Sequence, residues 1–107
     1  MDSMSENWIR IAKVDDVPEQ GTLQVTVAGE PVCLYNLAGT IHATHDVCTH
    51  GHASLSEGFI VDDNLIECPL HQGKFDILTG EAVSIPCIED VKVYPVRVEE
   101  GNIFLKM

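Results

Sequence analysis

Basic residues are scarce in this chain. Six lysines and arginines stand against seventeen aspartates and glutamates, a net charge of −11. So negative a surface argues against nucleic acid or an anionic membrane as partner. It permits steering toward basic protein surfaces. Long apolar runs are missing too, so no membrane span is expected. The opening MDSMSENW lacks a basic start leading into an apolar stretch, so no secretory signal is read and the cytoplasm is the expected compartment. No window carries a sustained 3.6-residue apolar repeat, and Asp15–Gln20 could form a single turn at most. There are no internal repeats, low-complexity tracts or linkers.

Period-two patterns dominate the 107 residues, of which 45% are hydrophobic. Thr22–Ala28 alternates, with Leu23, Val25 and Val27 on one side. Pro31–Leu37 is apolar on both faces, and Ala38-Gly39 turns it into Thr40–Thr44, a hairpin. Gly58–Val61 and Leu65–Cys68 flank Asp62-Asp63-Asn64, a second turn. Val91–Val98 and Ile103–Lys106 flank Glu99-Glu100-Gly101-Asn102, a third. Pro95 places its strand at an edge or a bulge. The expectation is a single all-β domain, residues 1–107, of short antiparallel strands.

One stretch resists that pattern. From about Asp46 to Gly80 the chain is rich in Gly, Cys, His and Ser, and Thr49–Gly58 shows no periodicity and little core material. A loop that long in a compact domain is usually functional. Two motifs could hold it: Cys48-Thr49-His50 and Cys68-Pro69-Leu70-His71, separated by residues 51–67. In the reducing cytoplasm such cysteines read as metal ligands or free thiols, not disulfides. Each motif offers one thiolate and one imidazole. Zinc would accept such a set as one tetrahedral site, although zinc fingers usually pair Cys with Cys and His with His. A mixed pair from each loop suits a two-iron centre, with Cys48 and Cys68 on one iron and His50 and His71 on the other.

At these motifs the sequence resembles the Rieske family. The wider strings CTHGHASLSEG, IECPLHQGKFD, TGEAVSIP and VYPV also match, from about Trp8 to Phe104. Within the family it looks like the ferredoxin components of bacterial aromatic ring-hydroxylating dioxygenases of the naphthalene or biphenyl type. The resemblance implies three stacked antiparallel sheets, with one [2Fe–2S] cluster at the tip of a small subdomain spanning about residues 44–82. It implies that Cys48, His50, Cys68 and His71 hold the cluster, each histidine through Nδ1. It further implies an electron carrier that is not itself an enzyme. A flavin-dependent ferredoxin reductase would supply single electrons, a terminal oxygenase would take them, and the carrier would be a monomer. The other readings are a small Rieske-type subunit of a nitrite reductase or another oxidoreductase complex, and a zinc-stapled interaction module.

Departures from the respiratory members of the family add an expectation. The positions of their extra disulfide fall on Ala53 and Leu70, and those of two hydroxyl donors on Gly73 and Phe75. Without donors that stabilise the reduced state, the potential should lie near about −150 mV and not about +300 mV.

Of the remaining residues, Cys33 reads as a small buried hydrophobe. The resemblance puts Pro86 in a third loop that covers the cluster, and Cys87 then reads as either a neighbour acting on the ligands or a merely packed residue. His42 and His45 suit surface or hydrogen-bonding roles. His52 is either an exposed loop residue or a contributor to docking. Trp8 packs the opening strand, and Gln72 and Lys74 either rim the histidine face or are solvated. Asp46, Glu57, Asp62, Asp63 and Glu67 could orient a partner.

Overall fold

The computed structural model describes residues 8–49, 51–70, 72–85 and 87–106. Ten strands form three antiparallel sheets, as expected for the Rieske fold. The first joins β1 (Trp8–Lys13), β10 (Asn102–Lys106) and β9 (Val96–Glu99), in that order. The second is β2 (Thr22–Val27), β3 (Glu30–Leu37) and β4 (Thr40–His45). The third is β5 (Phe59–Val61), β6 (Leu65–Glu67), β7 (Lys74–Asp76) and β8 (Ala82–Ser84). Among the described residues the only helical pieces are two 3-10 turns, Val14–Asp16 and Leu55–Glu57.

The two-faced apolarity of β3 follows from its place between two cores. Side chains alternate across a strand. Val32 and Leu34 point into a base core with Val17, Val27, Ile41, Ile103 and Leu105. Cys33 and Tyr35 point the opposite way, into a second core with Leu55, Ile66, Phe75, Ile77 and Val91. The second core also contains Cys48, Cys68 and Cys87. The middle sheet is therefore covered on both faces, and the molecule is drawn out to 44 × 24 × 19 Å.

Tight turns set the registers. Ala28-Gly29, Ala38-Gly39 and Glu100-Gly101 each have positive φ at both positions. That is the two-residue hairpin turn whose twist matches the strands it joins. Asp62 and Asp63 are also left-handed.

Two expectations are corrected. The strand read as Val91–Val98 begins only at Val96. Pro95 has no N–H to give the ladder. Before it, the chain leaves the first sheet and bonds the edge of β4: His45 N–H donates to Lys92 O at 2.8 Å, and Tyr94 N–H to Ala43 O at 3.0 Å. The segment Thr49–Gly58, expected to hold little core, contributes the fully buried Leu55. The third sheet also gains β7 and β8, whose three residues each are too short to carry a period-two signal.

Candidate metal centre

The first cluster loop leaves the end of β4. Val47 makes an isolated bridge to Ser54, Cys48 N–H donates to Ala53 O at 2.9 Å, and Gly51 N–H donates to Cys48 O at 3.3 Å. This nested turn carries Cys48 and Thr49. The second loop lies between β6 and β7, closed by a 2.7 Å bond from Cys68 N–H to Gly73 O. Gln72 there has φ 61°. His50 and His71 lie outside the described residues, as does Pro86.

The structure brings Cys48 and Cys68 together. Both are about 1% exposed and belong to the same buried cluster. Burial pushes the Cys68 thiol up to about 11, against which the Leu70 N–H at its sulfur works only in part. Metal coordination would supply the positive charge that buried thiolates need. The donor chemistry, the shared burial and the backbone N–H aimed at the Cys68 sulfur fit a [2Fe–2S] cluster.

A buried carboxylate fixes the first loop. Asp46, two residues before Cys48, is 1% exposed and cannot face a partner, which corrects its reading as a docking residue. Its carboxylate accepts from Gln24 Nε2 at 2.6 Å, Ser54 Oγ at 2.5 Å and the Ser56 N–H at 2.9 Å. Its own N–H donates to Pro31 O at 3.0 Å, and its carbonyl accepts from Leu55 N–H at 2.6 Å. Asp46 thus clamps the loop to β2 and β3 of the middle sheet. A third segment closes the site: Thr49 Oγ1 donates to Glu89 O at 2.7 Å.

The other candidates fall into place around this. Cys33 is fully buried, and desolvation raises its thiol far above the ordinary range. Beneath it Tyr35 Oη and Thr44 Oγ1 share a 2.8 Å hydrogen bond. Cys87, 3% exposed, has its sulfur 3.9 Å from that of Cys48. His45 lies 3.5 Å from Tyr94 Oη through Nδ1, and His42 is half-buried, which lowers its pKa. His52 is exposed. Lys74 is half-buried, with Nζ 3.9 Å from Glu67. Trp8 lies on β1 with the Arg97 guanidinium over its ring.

Three stacked antiparallel sheets with two buried cysteines on facing loops define an iron–sulfur protein of Rieske type. Residues 7–95 match the Rieske [2Fe–2S] domain family, and the chain belongs to that family. It is 47% identical over 104 residues to the ferredoxin component of the naphthalene 1,2-dioxygenase/salicylate 5-hydroxylase systems of a Ralstonia species, which covers 97% of this chain and 99% of the relative. Among solved structures, the ferredoxin of carbazole 1,9a-dioxygenase from Nocardioides aromaticivorans superposes with TM-score 0.89 at 30% identity, covering 94% of this chain and 97% of that one. A chain from the complex of reduced oxygenase and oxidised ferredoxin of carbazole 1,9a-dioxygenase superposes with TM-score 0.86 at 36% identity, covering 94% of each. Family membership decides between the metals left open by spacing: the cofactor is a [2Fe–2S] cluster and not zinc.

Proposed function

We propose that the chain is the one-electron carrier of a multicomponent aromatic ring-hydroxylating dioxygenase, taking electrons from a flavin-dependent ferredoxin reductase and delivering them to the terminal oxygenase. It is an electron-transfer component and not an oxygenase. When bound, the cluster supplies a one-electron couple. Cys48, His50, Cys68 and His71 are the proposed ligands, within a single domain whose residues of about 44–82 form the cluster-binding part.

The observation that carries this reading is the pair of buried thiols, in one core cluster, on two loops whose other motif members are histidines. Each residue then has a definable task. Cys48 and Cys68 are shielded from water, so they anchor the inner side. Asp46 holds the first loop in register. Leu70, Ile85 and Ile88 remain exposed beside the loops, where a partner surface would cover them. No helix among the described residues is long and apolar enough to cross a membrane, and the carrier is proposed to work as a cytoplasmic monomer.

Reconstitution tests the assignment. With reductase, oxygenase, NADH and an aromatic substrate, product formation should depend on the holoprotein. Failure of any flavin-dependent ferredoxin reductase to reduce the loaded protein would count against the carrier role. Gel filtration should show a monomer.

A further inference from the structure

We propose that Cys87 is a hydrogen-bond donor to the cluster's sulfur shell, its S–H directed at Cys48 Sγ from the place that a side chain on residue 73 would otherwise fill. The proposal rests on the assignment of Cys48 as an iron ligand. It carries the site one step beyond those four ligands.

The two sulfurs are 3.9 Å apart, within the reach of an S–H···S bond. Either could donate in a metal-free pair. An iron-bound Cys48 is a thiolate and can only accept, so the proton between them belongs to Cys87. The backbone of Cys87 is committed elsewhere: its N–H donates to Ser84 O at 3.0 Å. Its side chain is the buried member of a segment whose neighbours Ile85 and Ile88 are 81% and 77% exposed. Among the described residues of this segment, Cys87 is the one turned inward, and its side chain is a thiol.

Gly73 makes room for it. A Cβ at residue 73 would collide with Cys87 Sγ and would lie 3.2 Å from Cys87 N and 3.3 Å from Cys87 Cβ. A serine at 73 would therefore force Cys87 Sγ out of its present position. The missing hydroxyl at Gly73 is not an empty place in the donor shell, because a thiol from the third segment stands there. A thiol is a weaker donor than a hydroxyl. Donation to a ligand sulfur favours the more negative, reduced state. Cys87 should therefore raise the potential, by less than a serine would.

The test is the midpoint potential of the holoprotein and its Cys87→Ala and Cys87→Ser variants, each checked by electron paramagnetic resonance. Cys87→Ala should keep the Rieske signal, and its reduction equilibrium constant should fall about three- to tenfold, tenfold being about 59 mV for one electron. Cys87→Ser should match or exceed the parent. An unchanged midpoint in Cys87→Ala, or an equal fall in both variants, would make Cys87 a packing residue only. Loss of the cluster from both would place Cys87 among the ligands or the core, again against the donor role. If only Cys87→Ala fails to load, the Fe–S stretching bands of parent and Cys87→Ser are compared in H2O and D2O. Different isotope shifts support the donor and identical ones overturn it. A failed ligand assignment is distinguishable, because the parent itself would then lack a Rieske signal.

Discussion

At the scale of single residues, position in the fold separates side chains of the same type. Four cysteines are all buried, yet only Cys48 and Cys68 sit in loops that also carry a histidine. Cys33→Ser should leave cluster content and absorption spectrum unchanged, because Cys33, although in the second core, sits in the middle of β3 and not in either cluster loop. Cluster loss with the fold intact would make it part of the site. His71→Ala should abolish the Rieske spectrum and electron transfer, and a variant that still holds a reducible cluster would disprove the ligand set. Asp46→Ala removes the buried carboxylate that accepts from Gln24, Ser54 and Ser56. It should cost about 2–4 kcal/mol in a denaturation experiment and reduce cluster loading. The two cysteines proposed as ligands were singled out by the sequence because their motifs are local. Asp46 was not, and of Cys87 only its place near the cluster was. An aspartate among seventeen acidic residues shows its burial only when β2 and the Ser54–Ser56 turn close over it. A cysteine 39 positions from Cys48 shows its direction only when the third segment folds back.

At the scale of elements, the hairpins were legible where turn chemistry and alternation agreed. Ala38-Gly39 fixes β3 against β4, with Leu37 opposite Thr40 and Cys33 opposite Thr44. The double apolarity of β3 correctly marked a strand covered on both faces. The strand before Pro95 was read too long: Val93 and Pro95 are exposed despite their apolar character, and the backbone there bonds the edge of β4 instead of β10. The three-residue strands β5 and β6 were read from the turn between them, whereas β7 and β8 carried no pattern; Phe75 of β7 is held in the second core. The turns also leave room for improvement. Ala38 has φ 52°, where a residue with a Cβ pays a steric cost that asparagine tolerates better. Ala38→Asn should raise the apparent melting temperature by a few degrees without altering the spectrum. A lower melting temperature would show that the Ala38 N–H bond to Gln20 Oε1 had been disturbed.

At the scale of the whole molecule, two stacked cores place the base at one end and the thiols at the other. The net charge of −11 gives this body a field that should attract basic faces on its partners. Reduction by the reductase should slow as ionic strength rises through about 0.15 M, where charges more than about 8 Å apart are screened. A salt-independent rate would leave the acidity with a solubility role alone. The midpoint potential should fall below zero, toward about −150 mV, since the donor at Cys87 is only a thiol. The central claim is a cluster held by two thiolates and two imidazoles, and electron paramagnetic resonance of the reduced holoprotein tests it most directly. The expected spectrum has a lower average g than an all-cysteine cluster and hyperfine coupling to two nitrogens. An all-cysteine type of spectrum, or one without nitrogen coupling, would contradict it.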